Sequence, residues 1–214
     1  MEKKQKLKLS DIWYYYKVHF IVILIVIALI AYTVYNKVTQ INDDFLIECM
    51  SDIGFSYDTA GILADSLEQS GVVVDIDGDG IVQVNILTYQ TGLSGNQNID
   101  LQMAQVVALR MAMGEGPIII ADKQVFEEYE QHGIFKDISA IANELGIDES
   151  RFLRSSDGTV IGISIWDSQW IENNGINCDG LYASLRIINP DLSNNKNLLK
   201  QYDAAEDIFK YIVK

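Results

Sequence analysis

The sequence predicts an α/β domain with a mainly parallel sheet, preceded by one transmembrane helix. Three observations lead there: an uncharged apolar run near the N-terminus, strand-like segments that alternate with helix-like ones through the remainder, and glycines or polar residues that punctuate them. The apolar run comes first. Between Lys17 and Lys37 no residue carries a formal charge, and 18–35 reads VHFIVILIVIALIAYTVY. These eighteen residues reach about 27 Å as a helix, close to the hydrocarbon thickness of a bilayer. Trp13, Tyr14, Tyr15 and Tyr16 precede the run, and Tyr32 and Tyr35 lie at its far end, as interfacial rings do.

Charge asymmetry gives the expected orientation. Lys3, Lys4, Lys6, Lys8 and Lys17 precede the span, whereas Lys37 alone follows closely before Asp43 and Asp44. Basic flanks stay in the cytoplasm, so the N-terminus is expected inside and the large domain outside. AYTVYN offers no small-x-small cleavage site, so the helix reads as an uncleaved anchor. The expected organisation is a basic segment at 1–17, a span at 18–37, a stalk at 38–43 and an extracytoplasmic domain at 44–214. Beyond residue 37 there are 10 Lys and Arg against 28 Asp and Glu, a formal charge of −18. That balance excludes nucleic acid as a partner, because phosphate recognition needs a basic surface.

Within the domain, DFLIECM at 44–50 reads as a strand, and 57–69 as a helix capped by Ser56 or Asp58. A strand at 82–89, a helix at 99–113 ending on Gly114, and a buried strand PIIIAD at 117–122 follow. Helices at 123–131 and 138–145, strands at 159–165 and 181–188, and a final helix at 195–213 complete the order. Cys49 and Cys178, each in or beside a strand, can pair on the oxidising side or stay as two buried thiols. His19 and His132 stand alone, without the cluster a zinc site needs, and no GxSxG, Walker or HExxH motif occurs. No enzyme is expected.

One stretch is dense in chemistry: Asp75-Ile76-Asp77-Gly78-Asp79-Gly80-Ile81. Curling of such a loop converges alternate side chains, so Asp75, Asp77 and Asp79 with the carbonyl of Ile81 are candidate calcium ligands. The twelfth position holds Ile86 in place of a bidentate carboxylate, so the loop is not an EF-hand. VVVDIDGDG also resembles the opening motif of haloacid-dehalogenase-like phosphatases, in which an apolar strand delivers a nucleophilic Asp. Asp79 stands where that family has Thr, and its later motifs do not follow in order.

From residue 117 onward the chain resembles extracellular solute-binding proteins of bacterial ABC importers. PIIIADKQVFEEYEQHGIFKDIS at 117–139 is similar to their recurring strand, short helix and "G-l-f-x-D-l-s" unit. TVIGISI at 159–165 resembles the passage from the first lobe toward the second, and 181–213 the returning strand and helix. Where those proteins place a whole second lobe, only the fifteen residues WDSQWIENNGINCDG intervene. The resemblance therefore implies a single-lobe, periplasmic-binding-protein-like sandwich that cannot close around solute. Ligands of open α/β sheets sit beyond the carboxyl ends of strands, where Tyr89, Asp122, Trp166 and Trp170 fall. Aromatic faces beside an acid suit a small sugar or a peptide side chain. The expected function is a membrane-anchored binding or interaction module. The alternative is a structural or accessory subunit that contacts a membrane protein partner and binds no small molecule.

Overall fold

The computed structural model describes residues 9–39, 43–52, 55–92, 94–192 and 194–214. Most of the basic segment before the helix, residues 1–8, and part of the stalk, 40–42, lie outside the described residues. The chain divides into two compact units, Met1–Ile41 and Asn42–Lys214.

The first unit is the helix α1, Leu9–Thr39. It extends beyond the expected span at both ends, and its stretch Tyr16–Thr33 is long and apolar enough to cross a membrane. Thr33 is compatible with that interior because its hydroxyl donates back to the carbonyls of Leu29 (2.5 Å) and Ile30 (3.1 Å).

The second unit is built on one six-stranded sheet. In chain order its elements are β1 (Phe45–Ser51), α2 (Tyr57–Ser70), β2 (Val84–Gln90), α3 (Gln97–Met113), β3 (Ile118–Asp122), α4 (Lys123–Tyr129), α5 (Ser139–Leu145), β4 (Phe152–Arg154), β5 (Val160–Ser164), α6 (Gln169–Asn174), β6 (Leu181–Leu185) and α7 (Lys196–Val213). The strands lie in the order β2-β1-β3-β6-β5-β4. Helices α2, α5, α6 and α7 cover one face, where Ile47, Leu63, Ile120, Ile163 and Phe209 share a core. Helices α3 and α4 cover part of the other, over Met50, Ile119, Ala121 and Phe126. In α7 the buried residues Ala205, Ile208, Phe209 and Ile212 recur every three or four positions, which turns one helical stripe onto the sheet.

The sheet is mixed, which corrects the expectation of a mainly parallel one. Strand β1 pairs in parallel with β2 and β3, whereas β3–β6, β5–β6 and β4–β5 are antiparallel. The connection at 165–180 turns back on the short helix α6 rather than crossing the sheet. The chain therefore starts β6 from the end where β5 stops, with the Ile165 N–H donating to the Leu181 carbonyl at 3.2 Å. Strands β5 and β6 lie in one sheet, as the short connection between them predicts. Strands β4 and β5 are joined by a tight turn, which favours local antiparallel pairing.

Both cysteines are free and buried among the same core residues. Burial pushes each thiol up to about 12, so neither ionises at neutral pH.

Candidate functional site

The acidic loop is organised by a residue outside it. Asp44, one position before β1, is 1% exposed. Its Oδ1 accepts from the N–H groups of Ile76 (2.6 Å) and Asp77 (3.2 Å), and its Oδ2 from Gln83 (2.9 Å). The loop then closes on its own carboxylates. Asp75 accepts from Gly78 and Gly80, Asp77 from Asp79, and Asp79 from Ile81. Gly78 and Gly80 have φ of 83° and 87°, values that side chains resist, which is why the turn needs glycine at both places. The Gly80 and Gly78 amides hold the Asp75 carboxyl below the usual range.

Ligand atoms of Asp44, Asp75 and Asp77 lie within 4.8 Å of one another. Of the expected calcium set, Asp75 and Asp77 are thus brought together, with Asp44 added, while Asp79 lies outside the group. The Ile81 N–H closes the turn on Asp79. Three hard oxygen donors suit Ca²⁺ better than a transition metal. The Lys200 ammonium already answers the Ile76 carbonyl at 2.7 Å. The run Val72–Val74 forms no strand, so the phosphatase-like geometry, which needs one to deliver Asp75, is absent from this segment.

The carboxyl-end rim does not assemble as expected. Strands β1, β2, β3 and β5 point the same way, so Tyr89, Asp122 and Trp166 lie toward one end of the sheet. Strands β2 and β5 are four strand spacings apart, about 19 Å, which separates Tyr89 from Trp166. Asp122 is consumed structurally: Oδ1 caps α4 through the Val125 N–H (3.1 Å), and Oδ2 accepts from the Asp52 N–H (3.0 Å). Tyr89 lies half-buried with the Arg110 guanidinium 5.7 Å from its ring centre. Trp170 is 2% exposed, packs in the core and donates its indole N–H to Ser66 Oγ at 2.8 Å. It offers no ring face to a ligand, because the short turn of α6 points it at α2. Trp166 is open to solvent.

A different concavity lies at the opposite end of the sheet. It is a cleft of about 460 Å³ between the last turns of α3 and the chain leaving β6. Met111, Ala108, Ala112, Ile134 and Ile187 make its apolar walls, with the Tyr129 ring at one side and Arg186 at its base. Arg186 is 3% exposed and reaches fully buried Glu48 of β1, Nη2 to Oε2, at 3.0 Å. The contact is close but poorly directed. Neither Glu48 oxygen accepts a well-aligned hydrogen bond among the described residues, and Arg186 Nε has no acceptor. Burial therefore raises the Glu48 pKa, and Arg186 offsets this only in part. Gly116 makes room for the pair, since a Cβ there would stand 2.8 Å from Glu48 Cγ.

The end of α3 is tied down from the same side. Tyr202 donates to the Gly114 carbonyl (2.9 Å) and Asn189 Nδ2 to that of Ala112 (3.3 Å), which answers carbonyls a helix terminus leaves open. Sequence patterns did not single out Asp44, Glu48 or Arg186. The signal for Glu48 was a lone acid inside the apolar strand FLIECM, a position that demands a buried partner. No family model, curated protein or solved structure matches this chain.

Proposed function

We propose that this chain is a single-pass, membrane-anchored binding module, oriented with its N-terminus in the cytoplasm and its α/β domain outside. Its domain resembles one lobe of a solute-binding protein and takes an apolar peptide side chain, or a small molecule of similar character, in the cleft beside α3. The observation that carries this is the cleft itself: preformed and mostly apolar in its walls. Such sites fix orientation with few polar groups and gain affinity from apolar area. The walls favour a hydrophobic side chain over a sugar, which needs several hydrogen-bonding partners.

The test uses the full chain in lipid nanodiscs and N-acetylphenylalanine amide as the probe. Saturable shifts of the Met111, Ile134 and Ile187 methyl resonances are expected. Ala112→Trp fills the cleft from an exposed helix position and should weaken binding at least about tenfold, a loss of roughly 1.4 kcal/mol. Shifts that scatter over the domain, or survive Ala112→Trp unchanged, refute the cleft as the site.

A second function, accessory subunit of a membrane complex, has its own support. The outward side of α3 exposes Leu101, Leu109 and Met113. Such a helix face suits a protein neighbour. Calcium belongs to the proposal only as a stabiliser of the loop at 75–81, held by Asp44, Asp75 and Asp77.

A further inference from the structure

We propose that the outer edge of β2 takes up an extended, lysine-rich segment of a partner protein as an additional strand, seated in the groove between β2 and α2. The backbone directions fix which groups are available. The Gln83 carbonyl accepts from the Asp44 and Phe45 N–H groups, and the Thr91 N–H donates to the Ser51 carbonyl, so odd-numbered residues face β1. Alternate residues of a strand point their amides to opposite sides, which turns Val84, Ile86, Thr88 and Gln90 outward. Strand β2 ends the sheet, and among the described residues no further strand lies against it. The Val84 N–H is already answered, by Glu68 Oε1 of α2 at 2.8 Å, which confirms the outward direction.

A groove lies beside that edge. It measures about 310 Å³ and its helix wall is formed by Ala60, Gly61 and Ala64. A Cβ added at Gly61 would meet nothing within 4 Å, so side chains of an incoming strand have space above it. Strand addition at a sheet edge beside a helix supplies main-chain hydrogen bonds for affinity and alternate side-chain pockets for selectivity.

Charge decides the occupant. Asp65 and Glu68 line the groove, Asp43 accepts from Asn85 Nδ2 in its wall, and no Lys or Arg is among the residues that line it. The loop that leads into β2 adds Asp75, Asp77 and Asp79, with Lys200 on the Ile76 carbonyl as the nearby counter-charge. A second copy of this chain would oppose these carboxylates with its own, and like charges facing each other across an edge disfavour pairing. A segment that alternates lysine with small apolar residues meets both the acids and the empty floor.

The experiment measures amide hydrogen exchange of the full chain in nanodiscs, with an acetylated, amidated heptapeptide alternating lysine and valine. A glutamate-for-lysine version serves as control. The lysine peptide is expected to slow exchange at Ile86, Thr88 and Gln90 and to bind at least about tenfold more tightly than the glutamate version. Thr88→Pro removes one outward donor and leaves the β1 ladder intact, so it should abolish that protection. Asp65→Lys, at an exposed helix position, should weaken binding without lowering the melting temperature and keeps the test decisive if Thr88→Pro does not fold. Absence of protection, equal binding of the two peptides, or binding unaffected by Asp65→Lys overturns the proposal. Protection that grows with protein concentration alone would assign the edge to a second copy instead. Failure here leaves the cleft beside α3 untouched, because the two sites share no residue.

Discussion

Burying Glu48 and Arg186 together takes two charges out of water, and a contact as poorly aligned as theirs returns only part of that cost. Removing one partner is worse than removing both. Glu48→Ala should lower unfolding free energy by about 3–5 kcal/mol in a denaturant titration, because it strands a buried guanidinium. Glu48→Leu combined with Arg186→Met should instead leave stability roughly unchanged or raise it by about 1–4 kcal/mol. The pH dependence has a definite sign. Since the folded carboxyl titrates above its ordinary value of 4.5, the unfolded chain loses the proton first as pH rises. Stability of the parent relative to Glu48→Gln therefore declines from 4.5 upward until the folded group has titrated. A difference that is flat across that range, or rises, contradicts the raised carboxyl.

At the scale of elements, the acidic loop shows how local and long-range information divide. Millimolar Ca²⁺ should raise the melting temperature of the full chain by mass action, and Asp75→Asn with Asp77→Asn should remove the rise. Asp44→Asn should lower the melting temperature even in chelator, since Asp44 holds three loop amides whether or not a cation is present. Identical melts of the parent in Ca²⁺ and chelator would reduce the loop to a structural turn. Such a loop was legible as a motif because its aspartates and glycines are neighbours in the chain. Its third carboxylate was not, because Asp44 arrives from more than thirty positions away, through strand pairing. The same division runs through the fold. Helix α2 was legible from periodicity and its Ser56 cap, and α3 from the Gly114 that ends it. Strand β4 and helix α6 were too short to announce themselves. Strand direction was misread because alternation of strands and helices does not record whether a connection crosses the sheet or turns back at the end where it began. The rim failed for a related reason: position after a strand end does not say whether a side chain such as Trp170 turns outward or into the core.

For the whole molecule, topology and domain structure yield one joint prediction. Protease added to intact cells whose outer layers admit it should degrade the chain beyond residue 40 and leave the lysine-rich N-terminal segment protected. Protection of a C-terminal tag under those conditions would reverse the proposed orientation. The position of β6 also bears on how the domain comes into being. It is the last strand in the chain and yet lies near the middle of the sheet, between β3 and β5. A chain emerging residue by residue during synthesis can assemble β2-β1-β3 and the β4–β5 turn early, but the two halves remain separate until residue 185 has passed. During that interval both β3 and β5 present bare edges, the kind of surface that joins chains to each other. Helix α7 must follow before the core on its face is sealed. Truncation between β5 and β6 therefore leaves two adhesive half-sheets rather than a smaller domain, and gives a cell reason to clear stalled chains of this protein quickly.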